Sequence, residues 1–278
     1  MRVALVQMQP ALGDLDGNLA AARGLMARAL EGGADLVVFP ELSLTGYEVG
    51  RVDDDLALPA DHPSLLSLAA ATGDAGLLLG FSEDSGRSSY NAAAYYQDGL
   101  LGHVHRKLYL PTYGIFDERK HFSPGQAMRA FTTRWGRMAT LICNDAWQPQ
   151  LPFLAVQDGA HVLLIPTSSA QSLFPQHYES ESYWRDLTRF YGRMYQSYVV
   201  FVNRVGSEGD LHFWGGSHVV DPWGEVIAEA EDGETVLLAE IDFAQVRRRR
   251  REVPLVREAR LALLAREIHR LVDEGGDL

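Results

Sequence analysis

The chain has 278 residues, 46% of them hydrophobic, enough to bury a full core as one large domain or two ordinary ones. Its formal charge of −12 argues against nucleic acid and anionic membranes as partners, since both reward basic surfaces. No run approaches the ~20 apolar residues of a membrane span, and the opening MRVALVQMQP has no leader-like apolar segment. With a single cysteine besides, a cytoplasmic protein without disulfides is expected.

Short apolar runs ending in Gly, Pro, Asp or Asn predict strands over 2–8, 34–40, 76–82, 90–97, 100–108, 137–143, 161–168, 198–206, 215–222 and 235–242. Helical periodicity lies between several of them. GNLAAARGLMARALEGG (17–33) places Leu19, Ala22, Leu25, Met26 and Leu30 on one face, and 64–73 and 182–197 read the same way. The stretches 76–108 and 215–242 lack intervening helices and read as hairpin-linked. That favours mixed sheets, or two sheets packed together with helices outside, over one parallel sheet. No linker or repeat divides the chain, so one domain over 1–278 is expected, with a helical tail from about 243. The basic run RRRRRE (247–252) reads as a solvated helix face that continues into REARLALLAREIHRL.

Three reactive side chains stand where apolar runs stop. Glu41 follows ADLVVFP, Lys107 ends LLGHVHR, and Cys143, the only cysteine, ends RMATLI. If their strands are neighbours, a carboxylate, an ammonium and a thiol meet at one sheet edge. A thiol with an ordinary pKa near ~8.5 is mostly protonated at neutral pH, so a carboxylate is needed to take its proton as sulfur attacks. A fixed lysine, aided by a backbone N–H after the nucleophile, can hold the oxyanion that forms. Acyl transfer through a thioester follows without metal or cofactor. Taken singly, each residue also has an ordinary structural reading: a buried cysteine, a solvated lysine, a loop glutamate. His103 and His105 share one strand face, but with no third ligand they read as surface histidines.

Five segments, in order, resemble the nitrilase, or carbon–nitrogen hydrolase, superfamily: VVFPELSLTGY (37–47), HRKLYLPTYGIFDERKHFSPG (105–125), LICNDAWQP (141–149), DGAHVLLIPTSSA (158–170) and GGSHVVDPWGEVIAE (215–229). The resemblance implies a four-layer α-β-β-α sandwich of two mixed sheets. It makes Glu41 the general base, Lys107 the oxyanion stabiliser and Cys143 the nucleophile, with Glu118 as a second glutamate ahead of the F-x-P-G turn. Asp145 reads as structural, holding the turn, and Asn144 contributes its backbone N–H. Tyr47, Tyr113, Phe116, Asn144, Trp147 and Ser168 are the candidate substrate-binding residues.

LPTYGIFDERKHFSPG (110–125) is most similar to the glutaminase portion of glutamine-dependent NAD synthetases. No Ser-Gly-Gly phosphate loop occurs in this sequence, so an amidase without a fused synthetase is expected. Asn144 stands where those enzymes commonly have Glu, which weakens a glutaminase assignment. The expected reaction is hydrolysis of a small amide with release of ammonia. N-carbamoyl amine or nitrile hydrolysis is the alternative, as is a non-catalytic binding or redox-sensing protein. The resemblance also implies a homodimer or larger homo-oligomer, for which the aromatic 182–197 helix supplies a candidate face.

Overall fold

The computed structural model describes residues 1–112, 116–171 and 179–275. In chain order, β1 (Arg2–Gln7), α1 (Leu15–Glu31), β2 (Leu36–Val38), α2 (Pro63–Ala70), β3 (Gly76–Asp84), β4 (Ser89–Gln97) and β5 (Leu100–Arg106) build the first half. Next come β6 (Ala130–Thr132), β7 (Arg137–Thr140), α3 (Gln150–Gln157), β8 (Val162–Thr167), α4 (Ser180–Tyr195) and β9 (Tyr198–Asn203). The chain then forms the hairpin β10 (Val205–Glu208) and β11 (Leu211–Trp214), then β12 (His218–Val220), β13 (Val226–Glu229) and β14 (Thr235–Glu240). Two helices follow, α5 (Phe243–Glu252) and α6 (Leu261–Asp273).

The strands make two mixed six-stranded sheets, ordered β14-β1-β2-β3-β4-β5 and β13-β12-β9-β8-β7-β6. Their cores explain the continuous apolar runs, because the central strands are buried on both faces. In β1, Val3 and Leu5 point to the seam between the sheets while Ala4 and Val6 point to α1 and α2. In β8, Val162 and Leu164 face the seam while Leu163 and Ile165 face α3 and α4. The result is the four-layer α-β-β-α sandwich. Each fully buried Leu or Val in it contributes about 1.5–3 kcal/mol.

Local signals position the helices. The Asp14 carboxylate caps α1 by accepting from Gly17 N at 2.9 Å, and Gly33 turns the chain beyond its end with φ +78°. Pro63 starts α2, where its missing N–H costs nothing.

The expected continuous basic helix is two helices, interrupted after Glu252 by Val253 and Pro254. Nor is its basic run wholly solvated. Arg250 turns inward and donates to Ala160 O at 2.7 Å and to Ser197 Oγ at 2.8 Å. His103 and His105 are not surface residues either. His105 is buried against Asp145 and His103 stacks on Phe131, where burial and the neighbouring His105 lower its pKa to about 4.

Candidate active site

The site forms where loops leave the same end of both sheets. The turn after β2 carries Glu41. It presses so closely on β3 that a Cβ on Gly80 would lie 2.2 Å from Pro40 O, and Ser43 Oγ donates to Gly80 O at 2.9 Å. Lys107 follows β5 directly, with its N–H on Asn91 O at 2.8 Å. Cys143 opens a 3-10 turn three residues past β7 and takes φ +45°. Such a left-handed conformation in a non-glycine residue costs on the order of 1–3 kcal/mol and persists only where its surroundings enforce it.

Asp145 does the enforcing. Its Oδ1 accepts from Leu108 N and Tyr109 N at 2.9 Å each, and its Oδ2 faces Ile142 N at 3.1 Å and His105 Nε2 at 2.9 Å. One buried carboxylate thus ties the segment after Lys107 to the turn bearing Cys143.

Lys107 Nζ donates to Glu41 Oε1 and to Glu118 Oε1, both at 2.6 Å, and all three residues are buried. Asn91 Nδ2 adds a 2.7 Å bond to Glu41 Oε1, and Ser168 N reaches Glu41 Oε2 at 2.7 Å from the end of β8. Tyr47 donates its hydroxyl to Glu118 Oε1 at 2.6 Å, leaving Glu118 Oε2 without a hydrogen-bond partner among the described residues.

Two carboxylates share one ammonium. Burial, opposed by Lys107 and reinforced by Glu41, pushes Glu118 up to about 7. Burial works against the Lys107 charge, but Glu118 and Glu41 outweigh it and hold the ammonium well above its ordinary range. Burial, with Glu41 and Glu118 adding to it against Lys107, pushes the Cys143 thiol up. The resting thiol therefore keeps its proton. Burial and Glu118 also raise Tyr47, which stays a hydroxyl donor.

The other candidates divide. Tyr47 and Glu118 line a cavity of about 420 Å³ together with Glu48, Arg51, Lys120, His121 and Phe122. Phe116 meets the Tyr47 ring edge-on, with centroids 6.0 Å apart. Ser168 is fully buried, and its hydroxyl donates to Glu41 O at 2.9 Å, so its polar groups hold Glu41. Asn144 donates from Nδ2 to Tyr109 O at 3.1 Å. Trp147 packs on Trp184 and Tyr183. Tyr113 lies outside the described residues. Sequence reading missed Asn91, although an asparagine inside the Ala- and Tyr-rich strand YNAAAYYQ is a visible signal. It also missed Arg204, although that residue falls within the expected 198–206 strand, and Glu208 just beyond it.

This mixed-sheet α/β sandwich, with a glutamate, a lysine and a cysteine brought together at its loop ends, agrees with the resemblance to hydrolases of carbon–nitrogen bonds. The chain belongs to the carbon-nitrogen hydrolase family, whose model matches residues 2–251. It is 38% identical to the glutamine-dependent NAD(+) synthetase of Thermotoga maritima, over 82% of this chain but only 39% of that protein. An (R)-stereoselective amidase from Pseudomonas sp. is 32% identical, over 95% of this chain and 93% of its own length. The solved amidase from Nesterenkonia sp. AN1 superposes with a TM-score of 0.77 at 25% identity, covering 96% of each chain. In that structure, a mutant, the acetamide moiety of fluoroacetamide is covalently added at the active-site cysteine.

Proposed function

We propose that this chain is an amidase that hydrolyses a small carboxamide through a thioester on Cys143 and releases ammonia. The observation that carries this reading is the buried Glu41–Lys107–Glu118 network beside the partly buried thiol. A binding or redox-sensing protein has no use for an ammonium held between two carboxylates. The amidase relative of nearly equal length and the adduct on the cysteine of the Nesterenkonia enzyme support it.

In the proposed cycle Glu41 accepts the Cys143 proton as sulfur bonds to the carbonyl carbon. The carbonyl π electrons move to oxygen, and Lys107 Nζ, with the backbone N–H of Asn144, stabilises the resulting oxyanion. Glu41 then returns the proton to the amide nitrogen, the C–N bond breaks and ammonia leaves. Water, deprotonated by Glu41, attacks the thioester, and the thiolate recovers its proton as the acid departs. Glu118 keeps Lys107 aimed and balances its charge. Tyr47 and Phe116 form one wall for the substrate.

The exposed Tyr183, Phe190 and Met194 on α4, with the apolar face of α6, suit a homo-oligomer. A nucleophilic thiol must stay reduced, which suits a cytoplasmic location. Among the described residues no helix is long and apolar enough to cross a membrane.

Ammonia release from propionamide, glutamine, other ω-amides and N-carbamoyl amines tests the reading, with Cys143→Ala in parallel and intact mass on both. Release by the wild type alone, with an acyl adduct on Cys143, is expected. Release confined to N-carbamoyl amines would replace the amide assignment, and equal release by Cys143→Ala would refute the mechanism.

A further inference from the structure

Arg204 and Glu208 form an ion pair at 2.6 Å whose side chains are 0% and 4% exposed. Burying two such charges costs several kcal/mol each, and an apolar pair of similar volume is often as stable, so the pair is poorly explained by stability alone. Its contacts point elsewhere. Tyr47 N donates to both oxygens of the Glu208 carboxylate, at 2.9 and 3.1 Å, and Glu48 N donates to Oε1. Gly46, at φ +78°, permits this approach, since a Cβ there would lie 2.9 Å from Glu208 Oε2 and 2.8 Å from Leu12 Cα. Arg204 holds the carboxylate from behind and donates to Pro10 O at 3.1 Å. Its guanidinium also lies 4.1 Å over the ring of Phe213, which meets the Tyr47 ring edge-on at 6.1 Å. The pair therefore backs Tyr47 at both ends, the backbone through Glu208 and the ring through Phe213.

From these contacts we infer that Arg204 and Glu208 are positioning residues of the active site. They clamp Tyr47 so that its hydroxyl meets Glu118 Oε1, the same oxygen that receives Lys107 Nζ. Four bonds in series run from Arg204 through Glu208, Tyr47 and Glu118 to the ammonium that faces the developing oxyanion. Neither residue touches the reacting atoms. The hairpin β10–β11 thus acts on the chemistry through Tyr47. This inference rests on the amide-hydrolase reading for what Lys107 does.

The test is a double-mutant cycle of Glu208→Ala with Tyr47→Phe. It is read as kcat and KM on an amide the wild type hydrolyses, and as the rate of Cys143 labelling by fluoroacetamide followed by intact mass. A displacement of Lys107 by a fraction of an ångström is expected to lower kcat about 10- to 30-fold in Glu208→Ala, with KM within about threefold. Glu208→Gln keeps Oε1 for the two N–H groups but sets its NH₂ against Arg204 Nη1, so it is expected to lose less kcat than Glu208→Ala without returning fully to wild type. Because Glu208 acts through Tyr47, adding Glu208→Ala to Tyr47→Phe is expected to cost no more than about twofold further. If Glu208→Ala does not fold, Glu208→Asp takes its place. That variant keeps the charge but draws it back by one methylene, and a loss seen beside Tyr47 and absent beside Phe carries the same meaning.

A wild-type kcat in Glu208→Ala, or the same further loss with Tyr47 absent, would overturn the clamp and leave an ordinary structural pair. The labelling arm separates the two readings. Should no amide be turned over while Glu208→Ala still slows labelling as expected, the reaction assignment fails and the clamp stands. Equal labelling of the two proteins would overturn the clamp.

Discussion

The raised pKa of Glu118 makes a signed prediction about stability. Glu118 lies at about 7 in the folded protein against an ordinary value of 4.5. Between those values the folded state keeps a proton that the unfolded state has released. Stability therefore falls as pH rises through the window, is fully present below about 4.5, and levels off above about 7. At about 1.4 kcal/mol per pH unit, the loss from this group totals about 3 kcal/mol. Glu118→Gln removes the titration. Its amide oxygen can still accept from Lys107 and Tyr47, and its NH₂ takes the place of Oε2, which has no partner among the described residues to lose. The measurement is urea unfolding of both proteins from pH 4.5 to 8. His103, His161 and His218, each lowered to about 4 by burial, titrate alike in the two proteins and cancel in the difference. The variant is expected to gain about 3 kcal/mol on the wild type across the window, while its kcat falls. A difference that stays flat with pH, or that shrinks, would refute the charge reasoning for the site.

Two further substitutions probe the same arrangement. Lys107→Met removes the cation between carboxylates whose two 2.6 Å bonds to Nζ bound their Oε1 separation at about 5.2 Å. At that distance like charges repel by about 3 kcal/mol for an effective dielectric near 20, so one carboxyl keeps a proton even at pH 8, where Glu118 of the wild type, at about 7, is largely ionised. An infrared carbonyl band of a protonated carboxyl, removed by adding Glu118→Gln, reports it, with kcat down about 10²–10³-fold. Asp145→Asn replaces an acceptor serving three backbone N–H groups and His105 with one that is half donor. It is expected to cost about 2–4 kcal/mol in unfolding experiments, since a buried donor is left facing a donor. It also relaxes the turn at Cys143. Full fluoroacetamide reactivity at Cys143 in that variant would refute the role assigned to Asp145.

Much of the sandwich was legible because its central strands are buried on both faces and read as unbroken apolar runs. β1, β3, β4, β8 and β9 fall within a few residues of expectation. What escaped had a physical reason. β6 is a three-residue edge strand, too short for any period to show. The hairpin β10–β11 escaped because the strand expected over 198–206 runs straight through Arg204 into β10, and hydropathy counts Arg204 and Glu208 as exposed although they neutralise one another inside. His105 failed the same way, since its partner Asp145 is 40 residues distant in the chain. Glu41, Lys107 and Cys143 were visible because each stands where an apolar run stops. Asp145 is legible as holding its turn, and its bond from Ile142 N is local. Its ties to Leu108, Tyr109 and His105, like the contacts of Asn91 and Ser168, are tertiary and lie outside any local window.

The placement of the site across the seam explains why so large a core serves so few reacting atoms. Glu41 takes bonds from Lys107 and Asn91 of its own sheet and from Ser168 N of the other, and Cys143 also comes from that second sheet. The register of one sheet on the other thus sets the distance between the Glu41 carboxylate and the Cys143 thiol. A proton transfer needs donor and acceptor within hydrogen-bond reach, and an error of about 1 Å can cost on the order of 100-fold in rate. Between the sheets lie Val3, Leu5, Val38, Leu78, Ile142, Leu164, Val200 and Val202, each wholly excluded from solvent. Interiors packed to this degree have low compressibility and resist sliding. The seam therefore supplies the rigidity that loops alone lack, and the charged network at its end, strained at Cys143 and costly to bury, is tolerated because that packing holds it.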